Sequence, residues 1–439
     1  MTNRTNATHA TNATNATNAT NATNAAREAA AERRRLGGWL PAEEAALARY
    51  RKTLAAHARE HADGVPMTEA VRELAALAEG EPPLRMALTR AIDEARSRGY
   101  ELGYETIGEL MAVIDFVMTY APPFSESGLV VCPLNALLDW PLCMPSGYAF
   151  FRDRAVNAQL KRVLNVWCGF LGGPHSRAHL NASEPDGWFS AEAVKRIGMS
   201  QFHCDPQLPY WGFASWNDFF TRRFLPDARP VAAPDDPAVI VSACEAAPYH
   251  VAHDLKLLDT FWIKSQPYSL RDIFTAARGE LARGFVGGSL YQAFLSAYDY
   301  HRWHAPVAGR IAHAYLVDGT YYSSTEAEGA DPAGLNDSQG YMTAVATRAV
   351  IVIDADAPEI GRVACVFVGM GEVSSCMIDA LPGQHVEKGE EIGYFQYGGS
   401  TYCMLFEPGV IGSFVAHPRY HEGAPAVQVN AEVAAVAAK

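Results

Sequence analysis

The sequence predicts an α+β fold in which a helical N-terminal region precedes a β-rich C-terminal core. Apolar residues recur at helical spacing up to about residue 170, whereas short β-branched runs separated by Gly, Pro and Asp follow after about residue 239. The 439 residues are 49% hydrophobic and 19% charged, which is typical of a globular chain with a large core. That length leaves room for two or three domains.

The first 26 residues form a Thr-Asn-Ala repeat. Such a polar tract buries too little apolar area to offset the entropy of ordering it, so we expect residues 1–26 to be a disordered low-complexity leader. Each Asn-Ala-Thr also has the form of a glycosylation sequon, which would require a secretory route. The N-terminus carries no apolar signal segment, which disfavours that route.

Residues 27–205 are predicted to form a helical domain. Pro82 and Pro83 mark the start of one helix, which Leu84, Leu88 and Ile92 continue. Two further stripes have the spacing of a helix face, namely Ile107, Leu110, Met111, Ile114, Val117 and Met118, and Val156, Leu160, Val163, Leu164 and Trp167. Because such stripes normally pack in a core, this half of the chain indicates little about chemistry.

Residues 206–439 are predicted to form a β-rich domain. Runs of strand length occupy residues 311–317, 349–354 and 362–369. Gly383 and Gly389 flank a short charged turn that leads into another apolar run. Paired glycines around such a turn predict a compact β-hairpin over residues 383–395.

The charge and the cysteine pattern exclude some classes of function. A formal net charge of -13 repels phosphate backbones, which argues against a nucleic-acid partner. The apolar segments 107–120 and 129–144 are interrupted by acidic residues and fall short of the ~20 apolar residues that a membrane-spanning helix needs. The 8 cysteines show no C-x-x-C spacing, as in reduced thiols. We therefore expect a cytoplasmic protein without stable membrane association.

One candidate site is the Tyr-Gly-Gly-Ser-Thr run that ends at Thr401. Gly398 and Gly399 permit a tight bend that residues with a Cβ resist, and such a bend can bring the Ser400 hydroxyl near the Gly399 carbonyl. An ordinary Gly-Gly turn is the alternative interpretation.

A second candidate is Tyr-His-Arg-Trp-His at residues 300–304. His301 and His304 would share one face of a helix and could then bind a metal. The following proline and β pattern disfavour a helix, so a general base is the more natural role. A purely structural histidine pair remains open.

The third candidate is Glu245, which follows the apolar run 239–244. A carboxylate at this place can orient a histidine, as the acid of a serine-histidine-acid set does. It can equally be the polar residue that ends a strand.

Together and in this order, these motifs resemble the phosphatidylserine decarboxylase family of pyruvoyl enzymes. Gly399-Ser400-Thr401 is similar to the self-cleavage motif of that family, and residues 300–306 are similar to its Tyr-His-Arg-x-His segment. Two further stretches, Phe-Phe-Thr-Arg at 219–222 and Tyr-Ser-Leu at 268–270, also resemble it. The resemblance spans residues 210–408, close to half of the chain.

One branch, the L-tryptophan decarboxylases of psilocybin-type biosynthesis, resembles most of the chain after about residue 37. Gly-Trp-Leu at 38–40, residues 162–171, Ser-Ala-Cys-Glu at 242–245 and Gly-Glu-Val-Ser-Ser-Cys at 371–376 carry this resemblance. Phospholipid-acting members have Asp-Gly where this chain has Glu245 and Ala246, and Glu can fill the same role.

The resemblance implies that the chain cleaves itself between Gly399 and Ser400 into a large and a small chain. Ser400 becomes a pyruvoyl group, flanked by Gly398 and Thr401. It further implies that His304, oriented by Glu245, takes the proton from Ser400.

The same resemblance implies decarboxylation of an aromatic L-amino acid, most often tryptophan to tryptamine, without pyridoxal phosphate or metal. His301 would orient the substrate or return a proton, and Glu372 would contact its ammonium or indole N–H. Trp303, and after it Tyr402, are candidates to line the pocket, although Trp303 can equally be a core residue.

Three other interpretations remain open. The first is a phosphatidylserine decarboxylase that forms phosphatidylethanolamine. The second is a non-catalytic carrier or binding protein that bears lipoate or biotin on Lys388, which lacks the usual flanking residues. The third is a metal hydrolase built on His301 and His304.

Overall fold

The structure is a computed structural model. It describes residues 44–61, 66–259, 268–326, 329–331, 334–372, 375–398, 400–415 and 426–438. The proposed leader, Gly-Trp-Leu at 38–40 and Gly399 lie outside the described residues, so the structure does not test the predictions made for them.

Helices dominate the first half of the chain, and a few short helices follow in the second half. In order they are α1 (Glu44–His61), α2 (Glu69–Gly80), α3 (Pro82–Ser97), α4 (Ile107–Val117), α5 (Gly128–Val131), α6 (Pro133–Leu142), α7 (Pro145–Arg152), α8 (Arg154–Leu171), α9 (Ala191–Ile197), α10 (Trp216–Phe220), α11 (Leu270–Phe274), α12 (Gly279–Gly284), α13 (Gly334–Asp337) and α14 (Gln339–Val345). Short 3₁₀ helices span Pro174–His179, Met199–Gln201, Pro209–Gly212 and Ala276–Arg278.

Local sequence accounts for where several helices begin and end. The Asp153 carboxylate accepts from the backbone N–H groups of Ala155 and Val156, at 2.8 and 3.0 Å, and so caps α8. The Thr106 hydroxyl caps α4 in the same way. Helix α9 ends at Gly198, whose φ of 69° lies in the left-handed region that glycine enters without steric cost.

The strands form three antiparallel sheets. They are β1 (Val239–Val241), β2 (Ala247–Ala252), β3 (Ser289–Leu295), β4 (Arg302–His304), β5 (Gly309–Val317), β6 (Arg348–Ala355), β7 (Arg362–Gly369), β8 (Ser375–Ile378), β9 (His385–Val386), β10 (Glu391–Gln396), β11 (Ser400–Phe406), β12 (Ile411–Phe414) and β13 (Glu432–Val436). The largest sheet has the order β2-β3-β11-β7-β6-β5-β9, and the two smaller ones are β4-β10-β8 and β1-β13-β12.

The seven-stranded sheet is buried on both faces, and β11 shows how its residues divide. Tyr402, Met404 and Phe406 belong to a core shared with the two small sheets. Cys403 and Leu405 belong to a second core, shared with α11, α12 and α14. Because successive side chains of a strand point to opposite faces, Ser400 shares the face of Tyr402.

The N-terminal helices pack against the end of the large sheet where Ser400 lies. Their core includes Tyr298, Tyr300 and Tyr397 from the second half of the chain. The Tyr397 hydroxyl donates to the carbonyl oxygen of Val131, the last residue of α5. These contacts bring the helical region close to the residues that precede Ser400.

The α+β class is confirmed, as are the helices predicted from Pro82 and from the two apolar stripes. The predicted hairpin at 383–395 is wrong. Strand β9 pairs with β5, whereas β10 pairs with β4 and β8. The charged turn exists, but Gly389 at φ 85° redirects the chain from one sheet to another. The domain boundary near residue 205 stays a prediction.

Within the ranges given above, every helix is too short or too polar to cross a membrane.

Candidate active site

Ser400 is the first residue of β11 and lies inside the large sheet. It pairs with Leu295 of β3 on one side and with Gly369 of β7 on the other. The side chain is fully buried, and its Oγ has no hydrogen-bond partner in the described part of the chain. A buried hydroxyl without a partner costs free energy, which singles out Ser400 as a functional candidate.

Gly398 and Thr401 flank the serine with different roles. Gly398 has a φ of 127°, which side chains rarely tolerate, so the backbone bends just before β11. The Thr401 hydroxyl points to the opposite face, where it donates to the Ala293 carbonyl at 2.9 Å and accepts from Gln292 at 3.1 Å. These bonds fix the register of the strand that begins with Ser400.

His301 is fully buried directly before β4. Its ring stacks on Phe220 of α10 with centroids 3.9 Å apart, and neither ring nitrogen has a hydrogen-bond partner among the described residues. Burial, and then the positive charge of Arg222, hold the pKa of His301 well below its ordinary value. The imidazole is therefore neutral at physiological pH.

One aromatic ring links His301 to the segment that leads into Ser400. Phe220 contacts both His301 and Tyr397, with centroid separations of 3.9 and 5.1 Å. The His301 carbonyl also accepts from the backbone N–H of Phe395 at 2.9 Å. The structure thus brings His301 close to Phe395 and Tyr397, shortly before Ser400.

His304 ends β4 with its ring held at both nitrogens. Nδ1 lies 2.6 Å from the Gly389 carbonyl oxygen, and Nε2 lies 3.0 Å from the Tyr300 hydroxyl. Because a carbonyl only accepts, Nδ1 carries the proton, and burial lowers the pKa of His304 enough to keep the ring neutral. Nε2 is therefore an acceptor, as a general base requires. Both histidines belong to an extended segment, not to a helix.

Glu245 follows β1 and forms a bidentate ion pair with Arg229. The Arg229 Nε and Nη2 atoms donate to the two carboxylate oxygens, each at 2.7 Å, and the backbone N–H of Val429 lies 3.4 Å from one of them. The Glu245 and Arg229 side chains are 15% and 8% exposed. The hydrogen bonds of Glu245 thus go to Arg229 and Val429, and its role in orienting His304 stays a prediction.

Two buried charged residues beside His301 were not among the predicted site residues. Arg222 donates to the carbonyl oxygens of Tyr298 and Asp299, at 2.6 and 3.1 Å. Burial lowers the pKa of Arg222 to about 10 and raises the pKa of the Asp299 carboxyl to about 7. Arg222 is the last residue of the Phe-Phe-Thr-Arg stretch, and Asp299 directly precedes the Tyr-His-Arg-Trp-His motif. These positions are the signal that could have identified them.

Glu372 is almost fully buried near the same end of the sheet. Its Oε1 accepts from the backbone N–H of Asn135 at 2.7 Å. Burial raises the pKa of Glu372 to about 8, although the backbone N–H groups of Asn135 and Leu134 and the thiol of Cys132 oppose this shift. A carboxyl that is largely protonated at neutral pH fits a site that binds a polar group.

Trp303 is packed as a core residue. Its ring stacks parallel on Phe367 of β7 with centroids 4.0 Å apart, and Phe367 is the register partner of Tyr402. The Tyr402 hydroxyl lies 2.7 Å from the Ser242 hydroxyl, deep between the sheets. These contacts show that Trp303 and Tyr402 both pack in the core. Substrate contact by Trp303 stays a prediction.

The structure gives the Lys388 amine a structural role. Its Nζ donates to the carbonyl oxygens of Ala233, Asp236 and Val239, at 2.9, 2.7 and 3.0 Å. An ammonium group has three protons, and all three are used here. This geometry disfavours the interpretation of Lys388 as a carrier lysine.

Clusters of three or more His, Cys, Asp or Glu side chains suited to a metal ion do not occur in the described ranges.

Two family models match the chain. Residues 216–432 match the model described as phosphatidylserine decarboxylase, and residues 68–197 match a second model for that enzyme. The decarboxylase iboD of Amanita muscaria is 41% identical over 302 residues, which cover 64% of this chain and 84% of the relative. The L-tryptophan decarboxylase of Psilocybe cubensis is 29% identical over 428 residues, 91% and 94% of the two chains. Phosphatidylserine decarboxylase proenzyme 3 of Schizosaccharomyces pombe is 33% identical over 204 residues, 46% of this chain and 20% of the relative.

These matches define the chain as a carboxy-lyase, an enzyme that removes a carboxyl group. It belongs to the phosphatidylserine decarboxylase family, whose members depend on a pyruvoyl group.

Proposed function

We propose that this decarboxylase cleaves itself between Gly399 and Ser400, converts Ser400 into a pyruvoyl group and decarboxylates an aromatic L-amino acid, tryptophan first. The observation that carries this proposal is the buried Oγ of Ser400, which has no hydrogen-bond partner in the described chain and lies two residues after the bend at Gly398.

The first step is an attack of the Ser400 Oγ on the Gly399 carbonyl carbon. The neutral His304 accepts the hydroxyl proton at Nε2 and returns it to the Ser400 nitrogen as the peptide bond becomes an ester. The bond from Nδ1 to Gly389 holds the ring in the required tautomer. The role of His304 as the base, and the role of Glu245 as the acid that orients it, belong to this proposal.

Elimination then breaks the ester. Loss of the Cα proton of Ser400 releases the Gly399 carboxylate, and water replaces the nitrogen of residue 400, which leaves as ammonia. The large chain ends at Gly399, and the small chain begins with the pyruvoyl group and stays as its partner. The group forms from Ser400 itself, and its carbonyl serves as the electron sink while carbon dioxide departs.

His301 is the residue we assign to proton return during turnover. It is buried, neutral and without a hydrogen-bond partner in the described chain, so a ring nitrogen is available to a bound substrate. Glu372 is the residue we assign to contact with the substrate. Neither pyridoxal phosphate nor a metal enters this scheme.

An aromatic amino acid is favoured over a phospholipid by the extent of the likeness. The relative named L-tryptophan decarboxylase matches 91% of this chain, including the helical region, whereas the proenzyme 3 relative matches 46%. Phosphatidylserine is the second candidate substrate because several relatives are named phosphatidylserine decarboxylase proenzyme. A cytoplasmic location without nucleic-acid or stable membrane partners belongs to the proposal.

Intact-mass spectrometry of the purified protein tests the proposal, first alone and then after incubation with tryptophan and borohydride. We expect two chains that part at Gly399, a small chain that lacks the mass of ammonia, and a tryptamine adduct on it. Ser400→Ala should give one uncleaved chain. A cleaved Ser400→Ala protein would overturn the mechanism, and a pyruvoyl chain that takes up no aromatic amine would overturn the substrate.

A further inference from the structure

Asn135 of α6 is a buried amide whose polar atoms are unsatisfied. The side chain is 1% exposed, and neither Nδ2 nor Oδ1 has a hydrogen-bond partner in the described part of the chain. An unpaired buried polar group destabilises a fold, and this side chain carries two such groups. An unpaired buried group in a native fold calls for an explanation, and a ligand that binds to it is one.

Glu372 lies against the same residue. Its Oε1 accepts from the backbone N–H of Asn135, and its Oε2 makes no hydrogen bond to a described nitrogen or oxygen atom. Besides the Asn135 N–H, the backbone N–H of Leu134 and the thiol of Cys132, a weak donor, stabilise the ionised carboxyl. An acceptor oxygen of Glu372 and the amide of Asn135 are therefore both available at one place.

Tyr322 and Gly371 complete this cluster. The Tyr322 hydroxyl is buried and unpartnered among the described residues. Burial raises the pKa of Tyr322 well above its ordinary value, and the charge of Glu372 raises it further. A Cβ on Gly371 would lie 3.2 Å from Oδ1 of Asn135, so the absence of a side chain keeps space beside the amide. Unsatisfied atoms of Asn135, Glu372 and Tyr322 therefore occur in one part of the fold, and Gly371 leaves space beside the Asn135 amide.

The cluster lies within a substrate's length of Ser400. Gly369 is the register partner of Ser400, and Glu372 is three residues beyond Gly369. Three residues of extended chain span at most about 10 Å. Tyr397, three residues before Ser400, also lies close enough to Glu372 for its pKa to respond to that charge. An aromatic amino acid joined at residue 400 can therefore reach this place with its side chain.

We propose that Asn135 and Glu372 together bind the hydrogen-bonding edge of the substrate's aromatic side chain, so that α6 of the helical region sets substrate specificity. This inference rests on the proposed function. The complementary group is a ring N–H or O–H, which tryptophan and tyrosine possess and phenylalanine lacks. A buried site built to hydrogen-bond such a group rejects the analogue without it, since its own polar atoms then stay unpaired.

The test compares Asn135→Leu with the unchanged enzyme on tryptophan, phenylalanine and 1-methyltryptophan, which has no indole N–H. Leucine has the same branched arrangement of side-chain heavy atoms as asparagine but no polar atom, and the backbone N–H that holds Glu372 is untouched. We expect normal self-cleavage and a fall in kcat/KM for tryptophan of about 10- to 100-fold, as for one or two lost hydrogen bonds. The kcat/KM of Asn135→Leu for phenylalanine should equal or exceed that of the unchanged enzyme. Leu138→Met, a volume-conserving change on the same helix, is the matched control and should leave the substrate ratios unchanged.

The unchanged enzyme alone already tests the inference if Asn135→Leu fails to fold. It should prefer tryptophan over 1-methyltryptophan and phenylalanine. Equal kcat/KM values for tryptophan and phenylalanine, or an unaltered ratio in Asn135→Leu, would mean that water satisfies these atoms, and the inference would be wrong. Failure of the proposed function looks different, because no aromatic amino acid would then be decarboxylated.

Discussion

The Tyr300 hydroxyl donates a hydrogen bond to Nε2 of His304, 3.0 Å away, while Nδ1 of the same ring donates to Gly389. The atom that we assign as the base for Ser400 is therefore occupied before cleavage begins. Tyr300 belongs to the Tyr-His-Arg-Trp-His motif itself, so one short segment contains both the base and a hydroxyl that competes for it.

Removal of this hydroxyl should not block maturation. In Tyr300→Phe the lone pair of Nε2 is released and the basicity of His304 rises, so we expect cleavage at the normal rate or up to about fivefold faster, the worth of about 1 kcal/mol. The measurement is the rate at which newly synthesised chain converts into two chains on a denaturing gel. His304→Ala, the control, should stay uncleaved. Slower cleavage of Tyr300→Phe would place the phenol in the proton path.

Exchange of His301 should separate turnover from maturation. His301→Phe keeps an aromatic ring against Phe220 and removes two buried nitrogens that lack partners in the described chain. We expect cleavage and Tm to be retained, while kcat falls by about 10²- to 10⁴-fold, the usual contribution of a general acid or base. Cleavage is read by mass and kcat by carbon dioxide release. Equal loss of cleavage and turnover would contradict the division of roles between His301 and His304.

The ion pair of Glu245 offers a test of its orienting role. Glu245→Ala and Arg229→Ala each leave a mostly buried charge without its partner, so we expect similar losses of stability, about 1–3 kcal/mol, seen as a lower Tm. Cleavage should fail in Glu245→Ala and persist in Arg229→Ala, because only the carboxylate would support His304. Equal cleavage in the two variants would remove Glu245 from the mechanism.

Glu372 should make stability depend on pH. Burial raises its pKa from an ordinary 4.5 to about 8, so the folded chain holds more protons than the unfolded chain between these values. The free energy of unfolding then falls as pH rises across that window, by up to about 1.4 kcal/mol per pH unit. Glu372→Gln cannot ionise, so its Tm should exceed that of the unchanged protein by a margin that grows from about pH 5 to about pH 8. A constant margin would mean that Glu372 stays ionised in the fold.

Local patterns were sufficient to predict the α+β class and several helices and strands, and they singled out Ser400 as a candidate whose role stays a prediction. Strand β7 was predicted with its observed bounds because its apolar run is strand-length and both faces are buried. The hairpin at 383–395 failed because local turn chemistry does not determine the partner strand. Strand β9 pairs with β5, which ends almost seventy residues earlier.

The contacts of the candidate site were the hardest to predict. Glu245 was singled out as a candidate acid, and that role stays a prediction, whereas no pattern indicated that Arg229 would pair with it. Asn135 lies in an apolar helix where nothing in the spacing distinguishes it. Its interest arises only from burial without partners and from contact with Glu372, which is 237 residues away in the chain. Such relations are products of tertiary packing.

The interior position of β11 has a consequence for the life of the enzyme. After a break before Ser400, β11 stays hydrogen-bonded to β3 and β7, and β13 stays hydrogen-bonded to β1. The fragments are interlocked, so they should migrate as one particle until denatured. A mature molecule that unfolds would have to find this register again as two separate chains, one beginning with a ketone. Folding would then be a single-use event, and the working lifetime of the enzyme would be set by how slowly the sheet opens.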